Sequence, residues 1–247
     1  MESLIHFGKR HKIFTAMSLR KHGPMGKITD LQTSGIQRLR RFLWGYDISH
    51  YRVVVPKEMQ TANVCAVTYR EGGSIVSFDG KKSESGVDGL ITSDCGLFLT
   101  TYARDCLVLL GVDLKRGVIF NAHAGWLGLK NRLPTALVSS LLNYGSSLAD
   151  IHLWIGPTVH WQCYEFLRKD AEKLFPGYGE FVKPHESDEE KIFLDLRGIC
   201  IRQLLTAGLP MGNISYSTCC TMHNQKLFSH RGGDGSGYNM AFVVGRP

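Results

Sequence analysis

The amino-acid sequence predicts a mixed α+β fold in which strands outnumber helices. Short runs rich in β-branched or aromatic residues, bounded by Gly or Asp, recur after about residue 50. Segments with helical periodicity of their apolar residues lie between the later strands. No internal repeat, low-complexity tract or Pro/Gly/Ser-rich linker marks a domain boundary. We therefore expect one domain over residues 1–247, with a divergent basic N-terminal segment at residues 1–50.

The predicted strands are short segments whose side chains suit a pleated, partly buried surface. In chain order they cover residues 51–55, 63–69, 97–101, 107–112, 117–120, 151–155, 192–194 and 240–244. The run at 107–112 is almost wholly apolar, which is typical of a strand covered on both faces. The order of these strands within a sheet stays open from the sequence.

Three helices are predicted, over residues 134–142, 164–175 and 198–207. Pro134 suits the first turn of a helix, because the N–H that it lacks would be unpaired there. A Pro-Gly pair ends the second segment, and Gly208 ends the third.

The composition is that of an ordinary globular protein, with 43% hydrophobic and 21% charged residues. No apolar run approaches the roughly 20 residues that span a bilayer, so we expect no membrane contact. The first residues lack the apolar core of a signal peptide. Seven cysteines without a Cys-x-x-Cys pair fit a reducing compartment better than a disulfide framework. These features predict a cytoplasmic location.

The formal net charge of +7 comes largely from clusters of basic residues near the N-terminus. Such clusters could bind nucleic acid or anionic small molecules, but they are more often a solvated face. No aromatic-interleaved RNA motif or recognition-helix signature accompanies them. We therefore do not expect a nucleic-acid partner.

Two segments hold the residues best suited to chemistry. Asp105 and Cys106 directly precede one predicted strand, and a His-Ala-Gly-Trp segment beginning at His123 directly follows another. Strand ends favour chemistry because the sheet fixes the backbone while the loop exposes the side chain. A thiolate and a neutral imidazole are zinc ligands. The same pair can equally be a nucleophile and its base.

Several segments resemble the laccase-domain family, also called multicopper polyphenol oxidoreductases and represented by bacterial YfiH. The shared segments occur in the family's order. They lie at residues 87–92, 104–110, 123–126, 155–157, 163–165, 194–196, 207–209, 220–221 and 228–231. The resemblance covers about residues 50–244. It implies a four-layer α/β/β/α sandwich of mixed sheets, the YfiH-like cysteine-hydrolase fold. It also implies a zinc-dependent purine nucleoside phosphorylase with adenosine deaminase side activity, acting on a nucleoside and phosphate.

By this resemblance Cys106, His123 and Asp105 are the catalytic residues, and Cys106 and His123 are two of three zinc ligands. The family's third ligand is a histidine in a Gln-Val-His segment, where this chain has Gln60. Glutamine is a poor zinc ligand. Glu58 would lie on the same side of an extended segment as Gln60 and offers a replacement oxygen. His160 is a further substitute.

The anion-binding positions also depart from the family pattern. Leu127 stands where the family commonly has arginine after His-Ala-Gly-Trp, and Tyr238 replaces the arginine of a C-terminal Gly-Arg. Arginine binds phosphate bidentately, which neither replacement can do. Arg104 and Arg231 are the candidate compensating cations.

Two further residues of the shared segments, Asp195 and Tyr164, are candidate substrate contacts. Each has a structural alternative. Asp195 can instead cap the helix that follows it, and Tyr164 with Glu165 can instead open a helix.

The sequence leaves three functions open and excludes a fourth. The first is the zinc enzyme, in which Gln60 at the third ligand position leaves the occupancy of the zinc site open. The second is a catalytically attenuated nucleoside-binding or regulatory protein, and the third is a Cys-His hydrolase without metal. A copper laccase is not expected, because none of the ten histidines forms a His-x-His pair. Monomer and homodimer are both compatible with the sequence.

Overall fold

The computed structural model describes residues 3–25, 34–76 and 86–247. Within these ranges the helices are α1 Leu4–His11, α2 Ser34–Trp44, α3 Trp126–Lys130, α4 Leu133–Asn143, α5 Arg168–Leu174 and α6 Leu196–Thr206. The strands are β1 Phe14–Met17, β2 Val53–Pro56, β3 Val64–Ala66, β4 Ile75–Val76, β5 Gly89–Thr92, β6 Phe98–Ala103, β7 Leu107–Asp113, β8 Val118–Ala124, β9 Ile151–Ile155, β10 Glu165–Leu167, β11 Val182–Pro184, β12 Lys191–Leu194, β13 Ile214–Tyr216 and β14 Met240–Gly245.

Two mixed sheets form the body of the protein. The five-stranded sheet has the order β1-β14-β6-β2-β4, and the six-stranded sheet has the order β13-β9-β7-β8-β5-β3. β7 and β8 pair antiparallel over their full length, with Leu107 opposite Ala124 and Asp113 opposite Val118. A small antiparallel sheet, β10-β12-β11, lies apart from both.

Three apolar clusters separate the layers. Leu39 and Leu43 of α2 pack on one face of the five-stranded sheet. The other face of that sheet meets the six-stranded sheet, with Phe242 and Trp154 in the shared core. α4 and α6 cover the far side of the six-stranded sheet, where Leu137 belongs to the third cluster. The layers therefore run α/β/β/α, as predicted.

A buried asparagine joins the two sheets. Asn121 of β8 donates from Nδ2 to the carbonyl oxygens of Leu99 (3.1 Å) and Phe242 (2.8 Å), which lie on β6 and β14. Its Oδ1 accepts from Thr101 Oγ1 at 2.7 Å. A buried amide is tolerated because its donors and acceptor are paired in this way. These bonds fix the position of the six-stranded sheet relative to the five-stranded sheet.

The predicted central strands and the helices near 134–142 and 198–207 are confirmed, with ends shifted by a few residues. The prediction of a helix from residue 164 is wrong, because Glu165–Leu167 forms β10 and only Arg168–Leu174 is helical. Backbone pairing with β12 overrides the helical pattern there. The basic N-terminal segment contains α1, β1 and α2, none of which was predicted from the sequence. In the described ranges, none of the helices has both the length and the apolar character to span a bilayer.

Candidate active site

A polar cavity of about 410 Å³ opens where the two sheets meet the loops that follow β6 and β8. Side chains and backbone from several parts of the chain line it. They are Glu58, Gln60, Tyr102, Ala103, Arg104, Asp105, Cys106, His123, Trp126, Tyr164, His230, Arg231 and Asn239. The cavity therefore unites most of the candidate residues from the sequence.

Cys106 and His123 meet because their strands pair. Cys106 immediately precedes β7 and His123 is the penultimate residue of β8, and β8 lies antiparallel to β7. The thiol of Cys106 is close enough to the imidazole of His123 to raise the pKa of that ring. His123 is 7% exposed. The pairing predicted from two distant segments is thus present at the base of the cavity.

Asp88 organises the histidine side of the site. Its carboxylate is fully buried and lies 3.1 Å from His123 Nδ1. It also accepts from the backbone N–H groups of Met59 (3.2 Å), Gln60 (3.0 Å) and Thr61 (2.6 Å). Burial raises the pKa of Asp88, but the hydrogen bond and charge of His123, together with the donors from Thr61, lower it below its ordinary value. Asp88 therefore stays ionised and holds both the ring and the loop.

The groups around His123 raise the pKa of its imidazole. Burial lowers the pKa of this imidazole, but the charge of Glu58 and the hydrogen bonds with Asp88 and Cys106 outweigh burial. The pKa of His123 is therefore raised well above its ordinary value. Asp88 binds Nδ1, which leaves the second ring nitrogen for a metal or a proton. A carboxylate that binds the outer nitrogen is the usual partner of a metal-ligating or catalytic histidine.

Gln60 has an unpaired side-chain oxygen near the Cys106 thiol. Its backbone is in the left-handed region, with φ of 58°, and its Oε1 is buried without a hydrogen-bond partner in the described part of the chain. A Cβ built on Gly125 would lie 3.0 Å from Gln60 Oε1 and 3.2 Å from Cys106 Sγ. Glycine at 125 therefore lets the oxygen and the sulfur approach one another. A buried oxygen that lacks a donor is suited to a cation.

The donor set of thiolate, imidazole and amide oxygen fits a zinc ion, with the amide as its weakest ligand. Glu58 is placed less well for this role. Its Oε1 accepts from the Tyr102 N–H at 2.8 Å. Among the described residues, the only trio of His, Cys, Asp or Glu whose ligand atoms all lie within 4.8 Å is elsewhere, so Glu58 does not complete a compact trio with Cys106 and His123.

Asp105 organises the opposite wall. Its carboxylate accepts from Thr221 Oγ1 (2.5 Å), Ser229 Oγ (2.8 Å) and the Arg231 N–H (2.8 Å). Its own carbonyl oxygen accepts from Thr158 Oγ1 at 2.5 Å. One buried carboxylate thus connects the loop after β6 with loops that lie far along the chain.

Two arginines bring positive charge to this wall. Arg104 donates to the carbonyl oxygens of Asp234 and Gly235. The guanidinium of Arg231 lies 4.5 Å from the ring centroid of Tyr164. Burial raises the pKa of Tyr164 to about 12, so its hydroxyl is protonated at neutral pH. The two cations and the phenol form a surface that is able to bind an anion.

Two candidate residues from the sequence lie outside the cavity lining. Asp195 accepts from the Gly198 N–H at 2.9 Å and caps α6, which is the structural alternative. The N–H of His160 donates to Cys220 Sγ, away from Cys106. Conversely, Asp88 is central to the site although its Asp-Gly sequence is typical of a turn. Its presence in a segment shared with the laccase-domain family was the available signal.

The sequence matches the family described as multi-copper polyphenol oxidoreductase laccase over residues 26–246. The chain belongs to this family. It is 28% identical to purine nucleoside phosphorylase YlmD of Geobacillus stearothermophilus over 246 residues, covering 98% of this chain and 87% of that protein. Adenosine deaminase RL5, from an unknown prokaryotic organism, is 25% identical over 182 residues, or 72% of this chain and 69% of its own.

Two solved structures share the fold of this chain. The crystal structure of Geobacillus stearothermophilus YlmD superposes with a TM-score of 0.80 at 25% identity, covering 95% of this chain and 92% of its own. The Bacillus licheniformis hypothetical protein YfiH superposes with a TM-score of 0.83 at 22% identity, covering 99% and 96%. The α/β/β/α architecture expected from the resemblance is confirmed.

Proposed function

We propose that this protein is a zinc-dependent purine nucleoside phosphorylase that also deaminates adenosine. The observation that carries the proposal is the convergence of Cys106, His123 and the unpaired oxygen of Gln60 in a cavity whose other wall bears Arg104 and Arg231. Two relatives named for these activities support the choice of reaction. Its free, uncrosslinked cysteines suit the cytoplasm, where we propose that it acts.

Zinc would be held by Cys106, His123 and Gln60. When bound, it would supply a Lewis acid and an activated water at the reacting centre. Asp88 fixes the orientation of the imidazole by binding Nδ1 and fixes Gln60 through its backbone N–H. Such outer partners orient metal ligands and tune their basicity.

Phosphate and nucleoside would occupy the rest of the cavity. Arg104 and Arg231 would bind phosphate, because a guanidinium matches its oxygens in charge and geometry. Trp126 and Tyr164 line the same space and offer flat surfaces for the purine ring. In phosphorolysis a phosphate oxygen bonds to the anomeric carbon of the ribose while the bond from that carbon to the purine nitrogen breaks. The electron pair leaves with the purine, which takes up a proton, and the ribose leaves as its 1-phosphate.

A second candidate is favoured by one specific observation. Cys106, His123 and Asp88 form a thiol–imidazole–carboxylate series, which is the arrangement of a cysteine hydrolase. In that function the imidazole takes the thiol proton and the thiolate bonds to an acyl carbon of the substrate. The bond from that carbon to its amine or alcohol leaving group breaks, and the leaving group takes the proton from the imidazolium. Water then hydrolyses the thioester, which releases the acid and restores the thiol. This hydrolase needs no metal, so its activity would survive exhaustive chelation.

The test is an assay of purified protein with inosine or adenosine, phosphate and added zinc, monitored for free base and for ammonia. We expect free base that depends on phosphate, and its loss on chelation. Cys106→Ser should abolish turnover, whereas Cys95→Ser, which changes an exposed thiol, should leave it intact. Absence of turnover together with nucleoside affinity by calorimetry would instead indicate an attenuated, nucleoside-binding protein. Turnover that resists chelation would favour the hydrolase.

A further inference from the structure

A second group of metal-ligand side chains lies behind the wall of the cavity. The ligand atoms of Cys163, Cys220 and His223 all lie within 4.8 Å of one another. Cys163 Sγ is 3.6 Å from His223 Nε2. Cys163 is half-buried, Cys220 is buried and His223 is exposed. None of the three lines the cavity that contains Cys106 and His123.

Backbone contacts hold the two halves of this cluster together. Cys163 ends the short turn that precedes β10, and Cys220 forms an isolated parallel bridge with Thr158. The Thr221 N–H donates to the Thr158 carbonyl oxygen at 3.2 Å. The ligand side chains are therefore placed by the fold. A site that is formed in advance loses little conformational entropy when it binds a metal.

The donors are those of a zinc site. Two sulfurs and one imidazole nitrogen suit zinc, and zinc sites with three protein ligands complete a tetrahedron with water. The exposure of His223 leaves one side of the cluster open to solvent. His160 lies alongside, since its N–H donates to Cys220 Sγ at 3.4 Å and its buried Nε2 has no hydrogen-bond partner in the described residues.

We propose that Cys163, Cys220 and His223 bind a zinc ion that is separate from the metal of the Cys106 site. Each half of the cluster connects to the cavity lining. Cys163 precedes the lining residue Tyr164, and Cys220 precedes Thr221, which donates to the carboxylate of the lining residue Asp105. The metal would tie the turn before β10 to the loop at 219–223. Its role is to position the anion-binding wall.

The experiment is a titration of the reduced full-length protein with Co²⁺, the spectroscopic substitute for zinc, in a Cys106→Ser background. This background removes a ligand of the first site, so that failure of the proposed activity and failure of this site can be told apart. We expect one cobalt equivalent with thiolate-to-metal charge transfer and the ligand-field bands of a tetrahedral ion. Added zinc should displace the cobalt and abolish both bands.

Single ligand changes should then weaken binding. Cys163→Ser and His223→Ala should each lower the affinity by more than about 100-fold, since even outer-sphere partners contribute roughly 10- to 100-fold. His223 is exposed, so its removal tests the site without a change in the core. Cys219→Ser is the matched control, because that neighbouring sulfur accepts from Asn224 Nδ2 at 2.8 Å instead.

Four results would overturn the proposal. The first two are the absence of the charge-transfer band in the Cys106→Ser protein and an affinity unchanged by both ligand substitutions. The others are an equal loss with Cys219→Ser and a disulfide between Cys163 and Cys220 that persists under reductant. Circular dichroism of each variant establishes that it is folded before the titration.

Discussion

Asp88 and Asp105 are both buried carboxylates, and each organises one wall of the same cavity. Asp88 binds the His123 ring and the backbone at Met59–Thr61, all in or next to the proposed zinc ligands. Asp105 binds Thr221, Ser229 and the N–H of Arg231, which is one of the two cations that line the cavity. The difference lies in what each carboxylate positions. Asp88 should govern the chemical step, and Asp105 should govern the binding of phosphate.

The largest effect is expected for Asp88. In Asp88→Ala, the buried N–H groups of the 59–61 loop and the His123 ring lose their acceptor, and loss of one partner of a buried charged pair costs about 3–5 kcal/mol. Denaturant unfolding should show a fall of this size in the free energy of unfolding. Asp88→Asn keeps the volume and should lower kcat by about 10- to 100-fold, as outer-sphere partners typically do. A kcat equal to that of the parent protein would contradict the assignment.

A smaller effect with a different kinetic pattern is expected for Asp105. Asp105→Asn weakens the bonds that hold Ser229 and the Arg231 backbone, and so displaces the cation from phosphate. The KM for phosphate should rise by roughly tenfold, equivalent to about 1.4 kcal/mol, while kcat changes less. Steady-state kinetics at varied phosphate measures the split. A fall in kcat with an unchanged KM for phosphate would show that Asp105, like Asp88, acts on the chemical step.

Gln60→His should change the zinc affinity rather than the fold. Residue 60 has φ of 58°, a conformation that histidine adopts more readily than most non-glycine residues. An imidazole replaces the weak amide oxygen, so we expect zinc affinity to rise by about tenfold or more by competition with a chelator. Gln60→Ala, which removes the oxygen, is the control and should lower the affinity. Equal affinities in all three proteins would exclude residue 60 as a ligand.

The smallest effect is expected at Asp234, at the edge of the Asp105 wall. Arg20 forms two hydrogen bonds with its carboxylate, and these hold the pKa of Asp234 below its ordinary value of 3.8 despite partial burial. The pair therefore stabilises the fold at neutral pH, and this contribution is lost as the pH falls below 3.8. Because Arg20 is half-exposed, the contribution is at most about 1 kcal/mol.

Asp234→Asn tests this dependence. Its Tm should lie slightly below that of the parent protein at about pH 7, and this difference should shrink as the pH falls below 3.8. Thermal unfolding across this pH range is the measurement. If the Tm difference between the two proteins grows as the pH falls, the pKa of Asp234 is not lowered in the folded state.

The sequence predicted the part of the site that depends on regular structure. Two apolar strands next to Cys106 and His123 were recognisable from their side chains, and their pairing alone brings the thiol and the ring together. The resemblance added the layer order. The shared segment drew attention to Asp88, but its contacts were not predictable from the sequence, because they join it to a loop 27 to 29 residues earlier and to a ring 35 residues later.

The cysteine cluster was missed for a related reason. No further cysteine stands at a Cys-x-x-Cys spacing from the adjacent Cys219 and Cys220 in the sequence. Only the fold brings Cys163 to Cys220. The prediction of a helix from residue 164 was wrong because residues 165–167 have a helical pattern of apolar residues but pair with β12 as a strand. In a three-residue edge strand such as β10, the pairing with β12 leaves little trace in the residue pattern.

The buried Asn121 links the two sheets close to the cavity. Asn121 and His123 are two apart on β8 and point to the same side, as do Thr101 and Ala103 on β6. The bond from Thr101 to Asn121 therefore joins the two sheets next to Ala103 and His123, which line the cavity. Any attempt to transplant this pocket into another sandwich must carry the buried amide with it.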